Sequence, residues 1–124
     1  MSQSEKRILC VDDDVDSCKF LEFMLSRANK DYVVKTAYTS QKAIELIEKE
    51  QFDLYILDNW MFDFSGVQLC SLIRYSDKQT PILFFTAATQ PTDRDEALNA
   101  GANEYFIKPD DLGRIEETVR RLLQ

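Results

Sequence analysis

Ile8-Leu9-Cys10-Val11-Asp12-Asp13-Asp14 and Leu54-Tyr55-Ile56-Leu57-Asp58 follow one pattern: an unbroken apolar run of strand length that stops at carboxylates. A run with no polar alternation fits a strand covered on both faces, as in a parallel sheet sandwiched between helices. An acid at the end of such a strand is costly unless it binds something. If the two strands lie parallel in one sheet, their acids converge on one spot, which makes a cation site first and a nucleophile site second.

Outward from these runs, strand-like and helix-like segments alternate. Strands are expected over 7–11, 32–37, 53–57, 81–85 and 104–107. Between and after them, helical periodicity runs over 16–29 (Phe20, Leu21, Met24, Leu25, Ala28), 40–50 (Ala43, Ile44, Ile47) and 66–75 (Val67, Leu69, Cys70, Leu72, Ile73). It continues over 92–100 and 111–123 (Leu112, Ile115, Val119, Leu122, Leu123). Asp14 or Asp16 is expected to cap the first helix. Thr92 and Asp95 have capping-box spacing for the fourth, and Gly101 stands as its C-terminal stop. Gly113 weakens the first turn of the fifth. Five βα units imply a doubly wound α/β fold with right-handed crossovers, whose ligands lie outside the C-terminal strand ends.

The chain of 124 residues is expected to form one domain filling 1–124, with its core at about 6–123. Its 22 acids and 15 bases leave a net charge of −7, which argues against direct binding to nucleic acid or an anionic membrane. With no histidine, Ser-His and Cys-His catalysis and histidine zinc sites are excluded. Cys10, Cys18 and Cys70 are odd in number and fit no metal spacing, so they read as buried thiols in a reducing compartment. No apolar stretch reaches membrane-spanning length and no signal peptide is visible, so a cytoplasmic location is expected.

The expected fold gathers polar residues from distant parts of the chain on one rim: Asp12 and Asp13, Asp58, Thr86 and Lys108. Clustered carboxylates without histidine or paired cysteine make a hard oxygen site, suited to Mg²⁺ or Mn²⁺. A lone carboxylate can act as a nucleophile and form an acyl phosphate. A lysine and a hydroxyl opposite it can bind phosphoryl oxygens, and Pro109 biases Lys108 toward an extended backbone.

The segments ILCVDDD (8–14), LDNWMFDFSG (57–66), PILFFTAA (81–88) and GANEYFIKP (101–109) together resemble the receiver domain of two-component response regulators across essentially the whole chain. The resemblance implies a flavodoxin-like (βα)5 fold, strand order 2-1-3-4-5. It implies Asp58 as phosphoacceptor for a sensor histidine kinase or histidine phosphotransfer protein, in a phosphorelay. Asp12, Asp13, Asp58 and the backbone carbonyl of Trp60 would hold Mg²⁺. Thr86 would contact the phosphoryl group, Lys108 would pair with it, and Tyr105 would be a rotameric switch drawn inward with Thr86. The face formed by the fourth helix, fifth strand and fifth helix would meet a downstream effector or a second copy of the chain. Such a protein catalyses only its own phosphorylation and dephosphorylation and is not an enzyme with a separate substrate.

The chain departs from the family pattern in four places. Phe62 stands where relatives carry proline, Trp60 lies two past the acceptor, Ala88 two past Thr86 has no group to orient water, and Asp110 and Asp111 follow Pro109. Trp60 and Ala88 are expected to prolong the acyl phosphate, one by covering it and one by failing to position water. Trp60 and Phe62 also read as a partner-docking patch. Two alternatives stand beside the receiver reading. A receiver-like interaction module that is not phosphorylated is one. The other is an aspartyl-phosphate phosphatase, against which Trp60 stands where a second acid is needed.

Overall fold

A computed structural model describes residues 5–124. Five parallel strands form one sheet: β1 (Lys6–Val11), β2 (Tyr32–Ala37), β3 (Leu54–Leu57), β4 (Ile82–Thr86) and β5 (Glu104–Ile107), in the order β2-β1-β3-β4-β5. The helices are α1 (Val15–Ala28), α2 (Ser40–Lys49), α3 (Gly66–Ser76), α4 (Pro91–Ala100) and α5 (Ile115–Leu122). This is the flavodoxin-like order.

Alternate residues of each strand face opposite sides of the sheet. Leu9, Val11, Tyr55, Leu57, Ile82, Phe84 and Tyr105 pack with α2, α3 and α4, through residues such as Ala43, Leu69, Ile73 and Ala97. Ile8, Cys10, Leu54, Ile56, Leu83, Phe85 and Phe106 pack with α1 and α5, through Cys18, Leu21, Leu25, Ile115 and Val119. Both faces of the central strands β1, β3 and β4 are covered, so their apolar runs carry no alternating polar residues and their polar chemistry falls at the strand ends. The three cysteines are free and buried in these layers. Burial pushes the thiols up, Cys18 to about 12 and Cys70 to about 11, which leaves them protonated and inert.

Helix ends follow local chemistry. The Asp14 carboxylate caps α1, accepting from the N–H groups of Asp16 at 3.0 Å and Ser17 at 3.4 Å. Ser65 and Gln68 form a reciprocal capping box at α3. At α4 the box is Gln90 with Asp93, not the Thr92 and Asp95 pair expected from spacing. Pro91 has no N–H to satisfy and so takes the first helical position, which shifts the cap back to Gln90. The last helix also starts later than expected: Leu112–Arg114 forms a 3₁₀ turn around Gly113 before α5 begins. The Asp111 carboxylate accepts from the Ile107 N–H at 2.8 Å instead of extending the helix.

Two expected helical stripes are wider than the buried faces. Phe20 is 49% exposed on α1 and Leu72 is 52% exposed on α3. Among the described residues, no helix is long and apolar enough to cross a membrane.

Gly101 ends α4 with φ 117°, and a Cβ there would meet the Arg74 side chain. Gly101→Ala is therefore expected to cost about 1–2 kcal/mol, the penalty of a left-handed L-residue, read as a lower midpoint in urea with an unchanged slope. An unchanged midpoint would show that the turn relaxes freely.

Candidate phosphoryl and cation site

The β1–β3 register sets Val11 opposite Leu57, so Asp12 and Asp58 leave the sheet side by side. Their backbones stay tied to it. The Asp12 N–H donates to the Ala37 carbonyl at 3.0 Å, and the Asp58 N–H to the Val11 carbonyl at 2.9 Å. Asp12 and Asp58 are buried and Asp13 is exposed, and carboxylate oxygens of all three lie within 4.8 Å of one another. From the other side, β4 pairs Thr86 with Ile107 on β5. The next residue, Lys108, donates its N–H to the Thr86 carbonyl at 2.9 Å. Its ammonium lies 2.5 Å from Asp12 Oδ2 and 3.5 Å from Asp58 Oδ2. The five rim residues named from sequence are thus brought together.

Electrostatics distinguish the acids. Burial pushes the Asp58 carboxyl up and the nearby Asp12 adds to this, while hydrogen bonding from Thr86, the Lys108 charge and the Trp60 N–H pull it down; the net shift is upward. Lys108 behaves conversely. Burial pulls it down, but its hydrogen bond to Asp12 and the charges of Asp58 and Asp12 outweigh that and raise it. The lysine is therefore a fixed cation between two acids. It does not fully offset the crowding of three carboxylates, and that residual negative charge suits a divalent cation. The donors are hard oxygens, and the nearest thiol, Cys18, hydrogen-bonds the Asp12 carbonyl at 3.5 Å as a neutral group. The set fits Mg²⁺ or Mn²⁺ rather than zinc.

Trp60 follows Asp58 in a tight turn, its N–H donating to Asp58 Oδ1 at 3.2 Å, with its side chain pointing largely to solvent. Tyr105 is buried, its ring stacked on Phe84 at 5.7 Å and its hydroxyl donating to the Ala88 carbonyl at 2.6 Å. The Ala88 N–H donates in turn to Thr86 Oγ1 at 3.3 Å. Thr86 and Tyr105 are thus linked through the backbone of one residue, Ala88. Arg94 of α4 donates to the Tyr105 carbonyl at 3.2 Å, which ties that helix to the same strand.

Three residues that position the site carried no role in the sequence reading. Buried Asn59 accepts from the Val67 N–H at 3.0 Å through its side chain and from the Gly66 N–H at 3.0 Å through its carbonyl. The Asp63 carboxylate accepts from the N–H groups of Ser40 at 2.9 Å and Gln41 at 2.8 Å, joining the β3–α3 loop to the start of α2. Gly66 lets α3 start directly against the loop: a Cβ there would strike the Asp58 carbonyl oxygen and come within 2.9 Å of Asn59 Cα. A glycine at a helix start was the one visible signal, because glycine is a poor helix former and its presence there implies close approach.

Residues 8–120 match the family model of the response regulator receiver domain. The transcriptional regulatory protein ZraR of Salmonella typhimurium is 36% identical over 116 residues, 94% of this chain and 26% of the relative. The chain therefore spans about a quarter of that relative's length. A two-component response regulator from Clostridium difficile superposes with a TM-score of 0.89 at 31% identity, covering 96% of each chain. The response regulator TrrA from Thermotoga maritima, solved in complex with Mg(2+)-BeF, superposes with a TM-score of 0.84 at 30% identity, covering 95% of this chain and 99% of that one.

Proposed function

Because the chain belongs to the response regulator receiver domain family of two-component systems, we propose that it accepts a phosphoryl group on Asp58 from the phosphohistidine of a sensor kinase or a histidine phosphotransfer protein. The observation that carries this is the convergence of the buried Asp58 carboxylate with Asp12 and Asp13 at one rim, where the Lys108 ammonium lies between Asp12 and Asp58. A carboxylate oxygen of Asp58 attacks phosphorus, the P–N bond of the donor breaks, and its electron pair returns to the imidazole; the product is an acyl phosphate. Asp12 and Asp13, with Asp58 and the Trp60 carbonyl, would hold Mg²⁺, which would supply charge neutralisation as one anion approaches another. Lys108, within 3.5 Å of Asp58, follows the new negative charge, and the Thr86 hydroxyl donates to it.

The link from Thr86 through Ala88 to Tyr105 then acts as the switch. A pull on Thr86 moves the peptide that holds the Tyr105 hydroxyl, and Arg94 carries the change to α4. The α4–β5–α5 face would present the result to an effector or a second copy in the cytoplasm. The chain would act on no substrate but itself.

Incubation with Mg²⁺ and acetyl phosphate or phosphoramidate tests this by intact mass. One added phosphoryl group, which does not form when EDTA is present from the start, is expected. No adduct with either donor would favour the unphosphorylated interaction module.

The acyl phosphate is expected to be long-lived. Ala88 is a buried methyl with nothing to orient water, and Trp60, whose side chain points largely to solvent rather than over the acceptor, offers no acceptor atom to orient one. Trp60→Asn should speed phosphate release roughly tenfold, a modest share of the 10²–10⁴ that a positioned proton-transfer group contributes. The decay of labelled protein after donor removal measures it, and an unchanged rate sinks the idea.

A further inference from the structure

Trp60 is 60% and Phe62 88% exposed, two and four residues past Asp58. Between them Met61 turns inward and packs on the α2–α4 side of the core, which forces both aromatics out. The loop that carries them is held at both ends. Asn59 anchors it to the start of α3, and Asp63 to the N–H groups of Ser40 and Gln41. The Ser40 hydroxyl adds a third tie, donating to the Phe64 carbonyl at 2.8 Å. Elsewhere on the surface, exposed Phe23 lies under the Arg27 guanidinium at 5.4 Å; no such cover is found for Trp60 or Phe62 among the described residues. A pinned loop that displays two large apolar side chains is pre-organised for contact, because the ordering of its backbone is already met before binding.

We propose that Trp60 and Phe62 form a docking lip for the apolar surface surrounding the phosphohistidine of the donor protein, with Phe62 setting donor affinity. The proposal rests on the phosphoacceptor reading of Asp58. Its occupant follows from geometry. A donor histidine must bring phosphorus to about 3–3.5 Å from the Asp58 oxygen. Four residues of chain reach at most about 14 Å. A standard interface of about 800 Å² per partner, centred on Asp58, extends about 16 Å. A donor protein engaged with Asp58 through such an interface extends as far as the backbone of Phe62, whereas a small phosphodonor does not need to touch it. Exposed aromatics at such a centre are the residue type that dominates binding.

Phe62→Ala separates the two classes of donor. The probes are phosphoramidate and a panel of purified, autophosphorylated histidine kinases, each with wild type and variant. With any kinase that labels the wild type, Phe62→Ala should lower kcat/KM roughly tenfold or more, chiefly through KM. Phe62→Tyr should restore it, and phosphoramidate labelling should stay within about twofold. Trp60 is the only tryptophan, so its emission should shift to the blue on adding that kinase. Equal kinase transfer to wild type and Phe62→Ala, an unmoved Trp60 emission, or no transfer from any kinase to a chain that phosphoramidate labels would overturn the docking lip. Failure of phosphoramidate to label the wild type would overturn the Asp58 reading itself.

Discussion

Asp58→Asn is expected to take up no phosphoryl group from phosphoramidate and Mg²⁺, and to melt a few degrees above the wild type. The first outcome follows from chemistry, since the amide oxygen is too weak a nucleophile to attack phosphorus. The second follows from electrostatics. Burial and Asp12 disfavour the ionised Asp58 carboxyl, so the charge is a net cost to the fold at neutral pH. Asparagine keeps the shape and removes the charge, while Lys108 retains Asp12 at 2.5 Å. The gain should be roughly 1 kcal/mol, the scale of an imperfectly compensated buried polar group, which for a domain of this size is a few degrees. Differential scanning calorimetry without metal checks it. A lower midpoint would mean that the Asp58 and Lys108 pair stabilises the fold, against the electrostatic argument.

Gly66→Ala should destabilise the protein by about 1–3 kcal/mol, the usual cost of overpacking, and lower the midpoint by roughly 4–15 °C. Helix propensity predicts the opposite sign, since alanine is favoured over glycine in a helix by about 1 kcal/mol. The close approach decides. The added carbon would meet the Asp58 carbonyl oxygen, Asn59 Cα and the Phe84 ring, and the first two are backbone that cannot swing aside. The shift falls on the acceptor's own peptide, so the rate of labelling by phosphoramidate should drop as well. A variant that is as stable as the wild type and labels at the same rate would show that the loop gives way cheaply.

What the sequence discloses depends on the range of the interaction. The apolar runs ending at Asp12 and Asp58 were legible, because a strand covered on both faces permits no polar alternation. Asp14 as cap and Gly101 as stop were legible because a cap is a local event. The α4 cap lies at Gln90 rather than Thr92 because Pro91 takes the first helical position. The start of α5 was misplaced because Asp111 binds back to Ile107 across a turn, in preference to extending a helix through Gly113. Phe20 and Leu72 fit a helical period, yet they lie at the edge of stripes narrower than the pattern. Asp63 acts through partners distant in sequence, the N–H groups of Ser40 and Gln41, 23 and 22 residues away. No spacing rule marks such partners, which become visible only once β3 and α2 are placed side by side.

In the proposed phosphotransfer, one acid of the three takes the phosphoryl group and the other two do not. Borohydride reduces an acyl phosphate to an alcohol and so converts a phosphorylated aspartate to homoserine at its own position. After labelling with phosphoramidate and Mg²⁺, peptide mapping of the reduced protein is predicted to find homoserine at position 58 and aspartate at positions 12 and 13. Homoserine at 12 or 13, or intact aspartate at all three in a protein that has gained a phosphoryl group, would contradict the account.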